Sequence, residues 1–470
     1  MAIIQTIEFH SDNTYFAGFL QNIINQSGII GSVEFEDNII TLKLDDSNTE
    51  ALTRFSELSN KYLPHSIFLG KIETNSKDIK VSASNFTSKA YNIAPCPQCL
   101  ADITDPSSSN YLDDSYTCNH YSNSEIVIEN DSTFFTPHYT DGCAVLIADS
   151  SKIDELFIIT TKEKEALFSI EKPTIKATIK SDELKELTNK TYINIKAPYN
   201  VRSTLFALNA KDSDIPYVFF QDSDDLKVIK IQENTTIIKA NRVACKLEDL
   251  DTNPIINRFL NISKEADFKL SIGANLSYST HISFLVTTEV ATKEVIVFDK
   301  FNLESLLNDM KKDEIRNKLL DNFAKKYQDR LDKLNDNLDL FETLCVILDI
   351  DTSKNRGFEA LSEKSLEFRG NGGLKVDIEF GENGVDYSSL VGSVMSFVLA
   401  GAETHYIAYS IFEAYGDMSI NTLNQLKKKF KIDNIVMMGD MFENSVLYSR
   451  ILSKYQLAKP FFSKKFAIGE

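Results

Sequence analysis

The sequence lacks a long apolar run and lacks an excess of basic residues. No run reaches the roughly 18 consecutive apolar residues that a membrane-spanning helix requires, so we expect no direct insertion into a membrane. The 50 Lys and Arg residues are outnumbered by 68 Asp and Glu residues, which gives a formal net charge of -18. Because nucleic acids and anionic lipid surfaces bind basic surfaces, this balance disfavours both as partners.

Cysteine is scarce as well, with six residues in a chain of 470. So few cysteines, two of them in a C-x2-C pair, fit metal binding in a reducing cytoplasm better than a disulfide framework. The first residues, MAIIQTIEFHSDNTYF, also lack a basic start followed by an apolar stretch, so no signal peptide is expected. A hydrophobic content of 43% and a charged content of 25% are typical of globular proteins, and the length allows several domains.

The most informative pattern lies in residues 91–120, where Cys96-Pro-Gln-Cys99 is followed by Cys118 after a loop of 18 residues. A C-x2-C pair places two thiolates on one tight turn, and a third, distant cysteine closes the cage around a metal. The segment is rich in Ser, Asp, Asn and Tyr and cannot bury a core, so a metal would have to hold it together. The spacing predicts a structural zinc site that includes Cys96, Cys99 and Cys118.

The sequence leaves the fourth zinc ligand open. His120 lies two residues after Cys118, but a C-x-H spacing leaves little chain between two ligands of one metal. Cys143 and His138 are the other candidates, and we favour Cys143 because thiolate-rich structural sites are common. The remaining cysteines considered, Cys245 and Cys345, sit in apolar strand and helix contexts and are expected in the core.

Residues 91–120 resemble the zinc-finger region of the hydrogenase-maturation carbamoyltransferases, the HypF family. That family has the same C-x2-C pair, a loop of the same length that contains Asp-Pro, and a second C-x2-C pair. Asp105-Pro106 is present here, but Asn-His-Tyr follows Cys118, so the second pair is incomplete. The resemblance implies a degenerate, truncated relative of these enzymes, with an α/β and α+β multidomain fold.

Residues 1–90 have the pattern β-α-β-β-α-β, a split βαβ sandwich. This order resembles the acylphosphatase-like domain that opens the maturation enzymes. In that family a loop of main-chain NH groups and an arginine bind an anion, and an asparagine on a strand orients water. The matching loop here, Asn13 to Phe19, has no arginine, and Glu34 or Phe35 occupies the strand position. The resemblance implies an acylphosphatase-like fold without the acylphosphatase chemistry.

Residues 91–143 form the degenerate zinc-finger insert. Residues 144–258 resemble a truncated YrdC-like domain, the family's carbamoyl-adenylate-forming module, through the Lys172-Pro173 segment and the Pro198-Tyr199 turn. The Ser-Gly-Asn loop that approaches nucleotide phosphate in the family is replaced by Asp222-Ser-Asp-Asp225. Three carboxylates in such a loop would repel a phosphate.

Residues 259–470 resemble the last domain of the family, which has the sugar-kinase/actin-type fold. The usual Ser-Gly-Gly-Val-Phe-Gln-Asn of its nucleotide end reads Met438 to Asn444 here, and Asp440 replaces a glycine where the backbone must come close to the nucleotide. The block with the family's metal-binding histidines and catalytic aspartates is absent. A helical insert at 302–345 stands in its place, and its apolar spacing predicts two amphipathic helices.

These replacements imply a pseudoenzyme, and no catalytic or cofactor-binding residue is assigned beyond the zinc ligands. The leading hypothesis is a non-catalytic accessory protein in [NiFe]-hydrogenase maturation or assembly that binds a hydrogenase subunit or a maturation protein. The runner-up is a minimal carbamoyl- or nucleotide-using transferase with a rearranged active site, and a structural protein of unrelated role is the third. Lys325, Lys326 and Arg330 in the insert are expected to steer an acidic partner. The oligomeric state stays open.

Overall fold

The computed structural model divides the chain into two compact units. Unit 1 comprises Met1–Lys246 and Lys464–Ala467, and unit 2 comprises Leu247–Ser463 and Ile468–Glu470. The predicted boundary at 258/259 falls inside a helix of unit 2, and the finer division into four domains stays a prediction. Within the part of the chain that is described, no helix has the length and hydropathy to cross a membrane. The described residues are 2–88, 94–116, 135–221, 226–231, 234–240, 244–381, 384–455 and 459–469.

The first part of unit 1 has the element order β-α-β-β-α-β that its sequence pattern indicates. Its elements are β1 Ala2–Phe9, α1 Tyr15–Ser27, β2 Gly31–Glu36, β3 Ile39–Asp45, α2 Thr49–Tyr62 and β4 Leu69–Lys77. The strands form an antiparallel sheet in the order β2-β3-β1-β4. Helix α1 buries Phe16, Phe19 and Ile23, which lie on one face. It ends at Gly28, whose φ of 74° is the left-handed conformation that a residue without Cβ adopts freely.

The rest of unit 1 contains a six-stranded mixed sheet and a separate hairpin. Its elements are α3 Pro97–Thr104, β5 Phe135–Thr136, β6 Cys143–Ile147, α4 Ile153–Leu156, β7 Phe157–Ile158, α5 Thr161–Leu167, β8 Ile175–Ile179, α6 Asp182–Thr188, β9 Tyr192–Lys196, α7 Val201–Asp212, β10 Tyr217–Gln221, β11 Lys227–Ile231 and β12 Asn234–Lys239. The sheet order is β5-β10-β6-β9-β8-β7, and β11 pairs with β12. Strand β6 runs parallel to β9 and is buried along almost its whole length, as expected for a central strand covered on both faces.

Unit 2 is built on a four-stranded sheet surrounded by helices. Its elements are α8 Pro254–Glu265, β13 Ser271–Asn275, β14 Ser283–Thr287, β15 Thr292–Val297, α9 Leu303–Lys312, α10 Glu314–Leu331, α11 Leu340–Leu348, α12 Gly357–Ser365, β16 Glu379–Gly381, β17 Gly384–Asp386, α13 Tyr387–Leu399, α14 Thr404–Phe430, β18 Ile435–Met438 and α15 Ser445–Lys454. The sheet order is β15-β14-β13-β18, with β13 and β18 parallel. Gly273 in β13 lets α8 pack closely, because a Cβ there would lie 2.4 Å from the Phe259 ring.

The helical insert contains α9 and α10, two helices as its apolar spacing predicts, and its end overlaps the start of α11. Helix α9 ends and α10 begins at Asp313, whose carboxylate accepts hydrogen bonds from two backbone NH groups of the first turn of α10. This capping interaction separates α9 from α10. Helix α11 then begins at Leu340. Leu306, Met310 and Phe323 are buried, so the apolar spacing did identify the packed face.

A buried carboxylate connects distant segments of unit 1. Glu171 is 7% exposed and accepts hydrogen bonds from the Tyr15 hydroxyl at 2.6 Å and from the Ile67 backbone NH at 3.0 Å. The Ser66 hydroxyl also donates to Glu171. Because a buried carboxylate needs such donors to offset its lost hydration, these hydrogen bonds fix Glu171 beside the start of α1 and the segment before β4.

We expect the Glu171→Ala variant to lower the free energy of unfolding by about 3 kcal/mol, because it leaves the donors around it buried without an acceptor. Tyr15→Phe removes one hydrogen-bond donor only and should lower the free energy of unfolding by about 1.5 kcal/mol. Urea denaturation followed by circular dichroism measures both. Glu57→Ala, at an exposed position of α2, is the matched control and should have little effect. Equal stability of the Glu171 and Glu57 variants would contradict the assigned role of Glu171.

Candidate functional site

Unit 2 contains a cleft of about 710 Å³. Its walls are the turn 277–282 between β13 and β14, segment 297–301 after β15, and segment 336–341 before α11. Tyr387 from α13 and Tyr415 from α14 also line it. The volume lies in the range of small-molecule sites, so this cleft is the candidate functional site.

The turn at the wall of the cleft is occupied by a carboxylate of the protein itself. The Tyr278 backbone NH donates to Asp440 Oδ1 at 2.8 Å, and the Ser279 hydroxyl donates to Asp440 Oδ2. Asp440 is 4% exposed, and burial raises the pKa of its carboxyl although both hydrogen bonds act in the opposite direction. A backbone NH and a hydroxyl on one turn are groups that bind anions, and here their anion is Asp440.

Gly439 directs Asp440 onto this turn. Its φ is 115°, and a Cβ on Gly439 would lie 2.1 Å from the Leu276 carbonyl oxygen. The end of β18 therefore approaches the end of β13 so closely that only glycine fits. The sequence analysis placed Asp440 where the backbone must come close to a nucleotide, and that approach stays a prediction. Within the protein, the close approach is that of Gly439 to Leu276, and Asp440 is a hydrogen-bond acceptor.

A histidine and a glutamate form a pair beside the cleft. His281 Nε2 lies 2.9 Å from Glu294 Oε1, and Asn253 Nδ2 donates to Glu294 Oε2 at 3.2 Å. Burial acts to raise the pKa of Glu294, but hydrogen bonds from Ser283 and His281 and the charge of His281 lower it overall. A carboxylate that orients an imidazole is the supporting half of a general-base arrangement.

The pair of His281 and Glu294 is not evident in the sequence, because the two residues are 13 positions apart. The two residues meet because β14 and β15 form an antiparallel hairpin, in which Leu285 lies opposite Glu294. A prediction of this hairpin from the two short Val- and Thr-containing runs would have brought Glu294 toward the histidine.

Tyrosines give the cleft an aromatic wall. The Tyr387 hydroxyl donates to the Asp299 backbone oxygen at 2.6 Å, and burial together with the Asp299 charge raises the pKa of Tyr387 to about 12. Burial and the nearby carboxylates of Glu443, Asp440 and Glu359 also raise the pKa of Tyr278. Both phenols therefore stay neutral near pH 7.

Two predicted zinc ligands lie together in unit 1. Cys96 caps α3, and its Sγ accepts the Cys99 backbone NH at 3.5 Å. Both cysteines are 1% exposed. A helix start, with an NH directed at one sulfur, suits a thiolate bound to a metal, so this part of the donor set fits zinc. Cys118 and His120 lie outside the described residues, and their role stays a prediction.

The other candidate zinc ligands are placed at the start of the six-stranded sheet. Cys143 begins β6, half-buried, and its Sγ lies 3.0 Å from Thr140 Oγ1. His138 is exposed. Among the described residues, no three His, Cys, Asp or Glu side chains come together as a metal site. The fourth ligand therefore stays open, whereas Cys245 and Cys345 are buried, as their apolar contexts predicted.

Lys172 belongs to the segment that resembles the YrdC-like domain, and its side chain makes a hydrogen bond within its own turn. Its Nζ donates to the Phe168 carbonyl oxygen at 2.9 Å, and burial lowers its pKa to about 8. Its φ of 48° places it in the left-handed region, which strains a residue with a side chain. The loop Asp222 to Asp225 lies outside the described residues, so its repulsion of phosphate stays a prediction.

We propose that the protein binds about one zinc ion per monomer through Cys96, Cys99 and Cys118, because three thiolates at this spacing form most of a tetrahedral site. Cys96→Ser should remove most of the metal and make residues 91–143 sensitive to proteolysis, since metal binding supplies the folding energy of the insert. Cys245→Ser, outside the insert, is the matched control and should retain the metal. Elemental analysis measures the content. Less than about half an equivalent in the wild-type protein, unchanged by Cys96→Ser, would exclude the site.

Two solved structures are similar to the whole described fold. The crystal structure of HypF from T. kodakarensis matches with a TM-score of 0.65, covering 100% of this chain and 96% of that chain at 11% sequence identity. A crystal structure of full-length HypF in the phosphate- and nucleotide-bound form matches with a TM-score of 0.57, with 100% and 96% coverage and 11% identity.

Sequence similarity to known proteins is much weaker than similarity of fold. Protein HydE of Wolinella succinogenes is 28% identical over 99 residues, which are 20% of this chain and 18% of HydE. The matched segment thus covers less than two thirds of HydE's own length, and no family model matches the sequence. The match of fold along the full length makes the chain a structural relative of HypF, with a mixed α/β multidomain fold.

Proposed function

We propose that the protein is a non-catalytic accessory factor in [NiFe]-hydrogenase maturation or assembly and acts by binding a hydrogenase subunit or another maturation factor. The HypF-like fold along the whole chain and the local similarity to HydE support the hydrogenase context. The absence of catalysis is supported by one observation above the others, the contact of Asp440 with the turn at Tyr278 and Ser279.

The position of Asp440 opposes the binding of a nucleotide phosphate at this turn. A phosphate would have to displace a carboxylate that already accepts two hydrogen bonds, and the displaced carboxylate would remain beside it. Two negative charges a few ångströms apart repel each other by several kcal/mol when water is partly excluded, on the order of 4 kcal/mol near a protein surface. Without a phosphate bound at this turn, a nucleotide-dependent transfer reaction would lack the contact that positions its nucleotide.

The runner-up, a carbamoyl- or nucleotide-using transferase with a rearranged site, is favoured by one specific observation. His281, oriented by Glu294, lies beside a cleft large enough for a substrate. This reading requires that the cleft bind a nucleotide or a carbamoyl donor. It therefore depends on the same turn that Asp440 occupies, and a measurement of nucleotide binding separates the two functions.

We assign the contact surface for a partner to the exposed side of α10. Lys325 and Lys326 are exposed there. Arg330, which the sequence grouped with them, donates instead to the Ile347 carbonyl oxygen at 2.8 Å and to Asp349 at 3.2 Å. Its charge stabilises the C-terminal end of α11. Arg330 is therefore left out of the contact surface, which the two lysines represent.

We expect the double variant Lys325→Glu, Lys326→Glu to recover about tenfold less of a hydrogenase subunit or maturation protein than the wild type, because exposed charges steer an oppositely charged partner. Pull-down from the native host with quantitative mass spectrometry measures the recovery. The matched control is Lys77→Glu, Lys80→Glu, which makes the same charge change at exposed positions of unit 1.

Two outcomes would contradict these assignments. If the α10 variant folds by circular dichroism, recovers the same partners and supports normal hydrogenase activity, the assigned surface is wrong. If the wild-type protein recovers no hydrogenase-related protein, the proposed function itself is wrong.

A further inference from the structure

The charge of the cleft in unit 2 is unsuited to anions for reasons beyond Asp440. Three aspartates, Asp299, Asp336 and Asp339, line it and are exposed to solvent, against a single lysine, Lys300. His281, the histidine among the lining residues, is already paired with a carboxylate. The lining therefore carries a net negative charge, and low-dielectric walls concentrate the field of such charges inside a cleft.

Aromatic rings lie among these carboxylates. Tyr278, Phe301 and Tyr387 all line the cleft, and the rings of Phe301 and Tyr387 contact each other edge to face, with centroids 5.4 Å apart. The face of an aromatic ring attracts a cation by about 0.5–2 kcal/mol, more where water is excluded. Carboxylates and aromatic rings that line one cleft are a combination of groups suited to an ammonium or a guanidinium group.

Nearby carboxylates add to the effect of burial on the tyrosines of the cleft. Burial and, in addition, the charge of Asp299 raise the pKa of Tyr387 to about 12. At Tyr278, burial and three carboxylates act in the same direction. Only the carboxylate part of these shifts favours a cation, since burial disfavours every charged group.

We infer that this cleft binds a small organic cation, an ammonium or guanidinium group with an apolar stem, which is held by Asp299 and Asp336 and by the aromatic wall. The volume of about 710 Å³ admits such a ligand together with several neighbouring atoms. The cation is either a free amine or the side chain of a peptide. This binding does not depend on the proposed role in hydrogenase maturation.

The test is calorimetric titration of the full-length protein at low ionic strength with two probes. Agmatine represents the free cation, and a blocked Gly-Arg-Gly peptide represents the side chain. We expect at least one probe to bind with a dissociation constant below about 1 mM and to bind about tenfold more weakly to Asp299→Asn, Asp336→Asn. The matched control, Asp321→Asn, Asp329→Asn, removes two exposed carboxylates from α10 and should bind as the wild type does.

Each possible result either supports or overturns the inference. Binding of agmatine or of the peptide, weakened by the cleft variant alone, supports the inference and shows which source the cleft accepts. Failure of both probes to bind, or equal binding by the cleft variant and the control, overturns it. If the cleft variant does not fold, the salt dependence of wild-type binding decides, because attraction by carboxylates should weaken severalfold between about 20 and 200 mM salt. These results need no partner protein, so they are separate from the recovery of hydrogenase-related partners.

Discussion

The hydrogen bonds of the buried Asp440 carboxylate to the turn at Tyr278 and Ser279 are the interaction on which the properties of the cleft depend. The carboxylate supplies the turn at Tyr278 and Ser279 with a hydrogen-bond acceptor, at the position where these donors would otherwise be open to a ligand. Loss of the carboxylate would leave an NH group and a hydroxyl without their acceptor, a cost of about 1–3 kcal/mol for each buried donor. The same residue therefore stabilises unit 2 and opposes phosphate in its cleft.

Other charged groups are likewise used inside the protein rather than for a ligand. Glu171 accepts hydrogen bonds from distant segments of unit 1, and Arg330 binds the end of α11. Lys172 donates to a carbonyl group in its own turn. Each of these groups makes hydrogen bonds within the chain. This use of charged groups supports the proposed role of binding a partner.

The element order of residues 1–90 could be predicted because hydrophobic periodicity and a glycine at the end of α1 are local features. The placement of Cys96 and Cys99 in one turn was also predictable, because it depends on their spacing of three residues. The two helices α9 and α10 of the insert could be predicted as well, because the apolar spacing that marks them is local. By contrast, the contact of Asp440 with Tyr278 joins residues that follow β18 and β13 and are far apart in sequence, and it depends on the parallel pairing of those strands.

The central claim is that Asp440 occupies the place of a nucleotide phosphate, and titration calorimetry with ATP and Mg²⁺ tests it most directly. The wild-type protein should bind more weakly than about 1 mM. A folded Asp440→Ala variant should bind about tenfold more tightly than the wild type, because the NH of Tyr278 and the hydroxyl of Ser279 become free to bind an anion. Low-micromolar binding by the wild type, or a folded Asp440→Ala variant that gains no affinity, would contradict the account.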